Sequence, residues 1–252
     1  NLKQQLKNAP EGVDIAKVEQ ALANLANPET ERVKIWFLLD RSGSMEGLAD
    51  DVVGGFNQFV TDQAEKPGKA RLTAVQFDGG DPFEVIVDAK RISQVPPLTS
   101  EVYQPRGVTP LYDAIGKLIG SADERIIQRK EKDWPEEDQL VIVFTDGLEN
   151  ASRKFGRRKV FDLITDRMDA GWTFVFMGAN QDSYAEGHKI GLVDGNVQNY
   201  AATPESVKVA FSSVSRASME FRGKSRYQRG MDRDDFFGGV KEAEAASKER
   251  KR

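Results

Sequence analysis

Oxygen-bearing side chains gather at three places in this chain where an apolar run gives way to a loop or a helix start. Asp40-Arg41-Ser42-Gly43-Ser44 follows the run Val33 to Leu39 and sets a carboxylate and two hydroxyls at alternate positions, which extended backbone can point the same way. Thr145-Asp146-Gly147 closes a second run, Leu140 to Thr145, with a glycine that permits a tight turn. In Gly107-Val108-Thr109-Pro110-Leu111, Thr109 stands at an expected helix N-cap with proline at the first helical position. Oxygen donors of this kind suit a hard divalent cation. The same residue types also cap helices and form turns, so spacing alone leaves that plainer reading open.

Enzymatic readings fit less well. Ser-His-Asp catalysis lacks a G-x-S-x-G turn, and the one histidine, His188, sits in a Gly-rich segment and reads as structural or exposed. An Asp-nucleophile phosphotransferase would place a second Asp two residues after Asp40, where this chain has Ser42. No G-x-G-x-x-G follows the first apolar run, which disfavours a dinucleotide site.

Positioning these residues requires strands that end together. Five apolar runs read as strands, Val33 to Leu39, Arg71 to Phe77, Phe83 to Asp88, Leu140 to Thr145 and Trp172 to Met177, with Val197 to Tyr200 a weaker sixth. The first, fourth and fifth lack polar alternation, as central parallel strands covered on both faces do. Asp78-Gly79-Gly80-Asp81-Pro82 reads as a hairpin turn, making one edge strand antiparallel. Helical spacing recurs between the runs: Leu48, Val52, Phe56 and Phe59; Leu111, Ile115, Leu118, Ile119, Ala122 and Ile126; Val160, Ile164 and Met168; Val207, Phe211, Val214, Ser218 and Phe221. The expected fold is α/β, a doubly wound, mostly parallel open sheet of about six strands with helices on both faces. In such sheets ligands bind outside the carboxyl ends of the strands, where the oxygen clusters fall.

Three parts are expected: an N-terminal helical extension at 1–30 carrying Ile15, Val18, Leu22 and Leu25, one domain at 31–222, and a charged, mobile tail at 223–252. The chain has no cysteine, which excludes disulfides and thiolate ligands and suits a reducing cytoplasm. No apolar run has the roughly 20 residues a membrane helix requires. A net charge of −4 with both signs interspersed disfavours nucleic acid as the main ligand.

D-x-S-x-S after a buried strand, a later Thr-Pro-Leu at a helix start, and Thr-Asp-Gly after another strand together resemble von Willebrand factor A domains with a complete metal-ion-dependent adhesion site. The resemblance runs from about Arg32 to Phe221. It implies that Asp40, Ser42, Ser44, Thr109 and Asp146 hold one divalent metal. In that pattern the two serines bind directly, the two aspartates through water, and Thr109 directly or through water. Mg²⁺ is expected, with Mn²⁺ and Ca²⁺ as alternatives. Neutral hydroxyls against the ion leave it incompletely neutralised, so that a partner protein's Asp or Glu carboxylate can complete it. The resemblance points to a non-enzymatic adhesion or scaffold module of a stand-alone bacterial or phage type, acting beside an AAA+ ATPase or an assembly component. A structural subunit of a larger assembly and a Mg²⁺-dependent hydrolase are the alternatives.

Around that site, Asn180 and Asp182 are expected at the binding rim or, for Asp182, at a helix N-cap, and Glu149-Asn150 also fall at the rim. Arg153, Lys154, Arg157, Arg158 and Lys159 could steer an acidic partner or form a solvated helix start. Phe236-Phe237 is expected to dock on this domain or on a partner.

Overall fold

The apolar runs become strands because their alternate faces both find cover. The computed structural model describes residues 32–179 and 182–238. Its strands are β1 (Arg32–Asp40), β2 (Lys69–Phe77), β3 (Glu84–Arg91), β4 (Asp138–Thr145), β5 (Thr173–Gly178) and β6 (Val197–Asn199). They form one sheet in the order β3-β2-β1-β4-β5-β6, in which only β3 runs antiparallel, against β2. The expected architecture, its antiparallel edge and its hairpin are therefore present.

The helices are α1 (Ala49–Glu65), α2 (Leu111–Glu131), α3 (Arg157–Asp169), α4 (Ser183–Lys189), α5 (Pro204–Gly223) and α6 (Arg226–Asp232). β1 divides its side chains by parity: Val33, Ile35, Phe37 and Leu39 pack with α1 and α5, while Trp36 and Leu38 pack with α2 and α3. Aromatic rings fill the first of these cores. Phe37 meets Phe56 at 5.5 Å and Phe59 at 5.1 Å, and Phe211 reaches Phe144 at 4.6 Å.

This winding opens a crevice where the site must lie. After β1 the chain turns to α1 on one face of the sheet, and after the adjacent β4 it turns to α3 on the other. The loops leaving β1 and β4 thus part company at the carboxyl ends of neighbouring strands, the switch point of an open sheet. Register puts Leu39 opposite Phe144, which brings Asp40 level with Thr145 and one residue short of Asp146.

Folded chain continues past the boundary expected at 222. Ser225 and Gln228 form a reciprocal capping box at the start of α6. Arg229 donates to the Phe221 and Arg222 carbonyls and pairs with Asp138. Phe236 and Phe237 are buried against this domain, with Phe236 6.1 Å from Phe221 and its N–H bonded to Asn196 Oδ1 at 2.9 Å. The segment carrying Ile15, Val18, Leu22 and Leu25 lies outside the described residues, as do residues 239–252. Among the described residues no helix is long and apolar enough to cross a membrane.

Candidate metal centre

Asp40 is the last residue of β1 and is fully buried. Its Oδ1 accepts the Ser42 N–H at 2.7 Å, and its Oδ2 accepts the Thr145 hydroxyl at 2.5 Å. The first bond curls the chain after the strand, so that Ser42 turns back over the carboxylate and Ser44 follows at the start of a 3₁₀ turn (Gly43–Leu48). The Ser42 and Ser44 hydroxyls are 3.1 Å apart, and Ser44 donates to Asp146 Oδ1 at 2.6 Å. Ser42 and Asp146 are buried and Ser44 is exposed, which makes Ser44 the outer lip of the cluster.

Thr109 joins them from a third loop, although not as a helix cap. α2 begins at Leu111 and Pro110 occupies the N-cap position, one residue later than expected. Thr109 is released from capping, and among the described residues its buried hydroxyl takes part in no hydrogen bond. The open N-terminus of α2 is closed from elsewhere: the Tyr112 N–H bonds Glu149 Oε2 and the Asp113 N–H bonds Ser152 Oγ.

Gly147 shows how far the three loops converge. A Cβ placed on it would stand 3.1 Å from Thr109 Oγ1, 3.6 Å from Ser44 Oγ and 3.8 Å from Asp40 Oδ2. Oxygens from the Asp40–Ser44 segment and from the Thr109 loop thus meet at one point on the loop after β4, kept clear because residue 147 has no side chain.

Electrostatics favour a cation at that point. Burial pushes the Asp40 carboxyl up to about 6, and the neighbouring Asp146 adds to this against the hydrogen bonds from Thr145 and Ser42. Burial also raises Asp146, opposed by the bond from Ser44. Among the described residues neither carboxylate has an ion-pair partner. Arg41, next in sequence to Asp40, turns away to pair with Asp78 at 2.5 Å and Glu84 at 2.7 Å. Two buried carboxylates and an unbonded hydroxyl, all hard oxygens, fit a divalent cation. Among the described residues no group of three His, Cys, Asp or Glu side chains gathers anywhere, so the hydroxyls of Ser42, Ser44 and Thr109 would have to complete the donor set beside Asp40 and Asp146.

Several residues around the site gave no signal in the sequence. Tyr103, buried in the loop after β3, donates its hydroxyl to the Asp40 carbonyl, and Tyr200 donates to the Thr145 carbonyl at 3.0 Å. Asp78 accepts from Arg41 Nε at 2.8 Å, Arg106 Nε at 2.9 Å and the Gly80 and Asp81 N–H groups. Glu149 and Asn150, expected at the rim, accept hydrogen bonds from backbone amides, the partly buried Glu149 from Tyr112, Ala151 and Ser152 and the exposed Asn150 from Thr109. Asp182 is the N-cap of α4, accepting from the Ala185 N–H, while Asn180 lies outside the described residues. Arg153 and Lys154 precede α3, which starts at Arg157, and their N–H groups bond the Asp113 carboxylate. His188 is half exposed and meets Asp194 at 2.7 Å, remote in sequence from all three site loops.

A doubly wound, mostly parallel six-stranded sheet with helices on both faces defines a class of Rossmann-like α/β domain. The family model of the von Willebrand factor type A domain matches residues 34–214, and the chain belongs to that family. No curated protein matches it. Among solved structures it is similar to proximal thread matrix protein 1 from the mussel byssus, at 14% identity and a TM-score of 0.53 over 73% of this chain and 47% of that one. It is also similar to the pilus adhesin SpaC from Lactobacillus rhamnosus GG, at 14% identity and a TM-score of 0.56, over 77% of this chain and 31% of the adhesin. A von Willebrand factor type A protein from Catenulispora acidiphila matches at 14% identity and a TM-score of 0.50, over 75% of this chain and 43% of that one. The chain spans less than half the length of each. At these identities the likeness shows a shared fold.

Proposed function

We propose that this chain is a metal-dependent protein-interaction module in which Asp40, Ser42, Ser44, Thr109 and Asp146 form a metal-ion-dependent adhesion site for Mg²⁺. The observation that carries this reading is the convergence of Thr109, Ser44 and Asp40 oxygens on the space beside Gly147, with two buried carboxylates unpaired around it. When bound, the cation supplies an electrophilic centre for an Asp or Glu carboxylate of the partner. The protein's own residues set its strength. Three neutral hydroxyls face the site, and both carboxylates are already engaged by hydroxyl or N–H donors, so the negative charge opposite the partner is moderated. Val108 and Leu148, beside Thr109 and Gly147, are about half exposed and offer apolar contact at the rim.

The test is calorimetric titration of Mg²⁺ into the wild type and Asp40→Ala. The wild type should bind one ion and the variant none; equal binding, or none by either, would remove the basis for the assignment.

A further inference from the structure

The structure assigns Asn150 as the residue that positions Thr109 for the metal. This inference rests on the metal-site reading above and extends it to a side chain outside the five expected ligands. Thr109 is the site residue farthest from a strand end: Asp40 and Asp146 lie at the ends of β1 and β4, whereas Thr109 sits in the long stretch between β3 and α2. Something other than the sheet must hold it.

Asn150 does so with a pair of bonds. Its Oδ1 accepts the Thr109 N–H at 2.9 Å, and its own N–H donates to the Thr109 carbonyl at 3.1 Å. Both polar backbone atoms of Thr109 are therefore fixed by one residue, and that residue lies on the loop that carries Asp146. Around the pair the two loops are joined further, through Tyr112 N–H to Glu149, Asp113 N–H to Ser152, and the Arg153, Lys154 and Phe155 N–H groups to the Asp113 carboxylate. On the other side the Arg106 N–H donates to the Arg41 carbonyl at 2.8 Å and the Gly43 N–H to the Gly107 carbonyl at 3.0 Å, which ties the Thr109 loop to the loop of Ser42 and Ser44. Among the described residues the Thr109 hydroxyl takes part in no hydrogen bond, and it is held 3.1 Å from the cleared point at Gly147. Supporting residues that orient metal ligands commonly control affinity by 10- to 100-fold.

The test titrates Mn²⁺ into the wild type, Asn150→Ala, Thr109→Ala, the double variant and Asn150→Asp, followed by electron paramagnetic resonance, with melting in EDTA to confirm folding. Asn150→Ala should weaken Mn²⁺ about 10- to 100-fold, and Asn150→Asp, which keeps an oxygen for the Thr109 N–H, should restore most of the affinity. In the Thr109→Ala background the loss of Asn150 should add little, because both act through one hydroxyl. Exchange of the Thr109 amide in metal-free protein should quicken in Asn150→Ala and not in Asn150→Asp. Should the alanine variant not fold, Asn150→Ser, whose side chain is too short for the bond, serves in its place. Wild-type binding with unchanged affinity in Asn150→Ala, or a loss that adds in full to that of Thr109→Ala, overturns the assignment alone. Absence of Mn²⁺ binding by the wild type overturns the metal site and this assignment together.

Discussion

Asp40 is costly to the protein in the absence of a cation. Its carboxylate is fully buried, has no basic partner among the described residues and is raised by burial to about 6, so near neutral pH the folded state holds a charge its surroundings disfavour. Asp40→Asn keeps the shape, an oxygen for the Ser42 N–H and an amide that can donate to Thr145. It should therefore melt no lower than the wild type in EDTA at pH 7, while losing the rise in melting temperature that saturating Mg²⁺ gives the wild type. A large fall in EDTA would show that the carboxylate stabilises the fold itself. Gly147→Ala makes the complementary change by placing a methyl 3.1 Å from Thr109 Oγ1. Calorimetry should show Mg²⁺ affinity at least about tenfold weaker, with melting in EDTA little altered because the cleared space is not part of the core. The five oxygen-bearing residues were legible in the sequence because each lies at a strand end or helix start in a compact motif. The bonds of Asn150 to Thr109, Asp78 to Arg106 and Tyr103 to Asp40 were not, since they join residues 28 to 63 positions apart and depend on how loops meet.

At the scale of elements, α1 and α5 bear most directly on how the sheet is covered. Their close approach depends on Gly55, where an added Cβ would meet Phe211 Cδ2 at 2.3 Å. Phe211 itself stacks on Phe37 and lies tilted against Phe144, residues of the two strands that end in the site. Gly55→Ala should cost about 1–3 kcal/mol by overpacking and Phe211→Ala about 3–5 kcal/mol by leaving a cavity, both read by denaturant unfolding. A negligible change in both would mean that α5 is not seated as described. The period of apolar residues announced α1, α2, α3 and α5, and the unbroken apolar runs announced the strands. α6 escaped notice because it has no apolar stripe; a capping box and the Arg226 and Arg229 pairs to Asp138 hold it, and these draw on residues about 90 positions apart. The start of α2 was misplaced by one residue because its N-terminal amides are closed by the distant Glu149 and Ser152 rather than by Thr109.

For the whole molecule, the loop network gives stability a defined response to acid. Burial pushes the Asp113 carboxyl up, but the N–H groups of Arg153, Phe155 and Lys154, with Lys117, more than offset it and hold it below the ordinary value of 3.8. A depressed folded value means that the carboxylate favours the folded state above 3.8 and that this contribution disappears as pH falls through the lower folded value. Asp113→Asn should thus melt below the wild type at neutral pH, with the gap closing below about pH 4; a gap independent of pH would show that the charge has no part in it. The fold class was readable from the order of strands and helices, and the position of the site followed from where the sheet order reverses. What the sequence could not supply is the set of hydrogen bonds that ties the three loops together, which forms only when β1 and β4 lie side by side.

The central claim, that this crevice holds a partner through a divalent cation, is most directly tested by affinity capture from the native source. The wild type and Asp40→Ala would be used in Mg²⁺ and in EDTA, with captured proteins identified by mass spectrometry. The account predicts partners retained by the wild type in Mg²⁺ and lost in EDTA or with Asp40→Ala. Partners retained equally under all conditions would contradict it and place the interface away from these five residues.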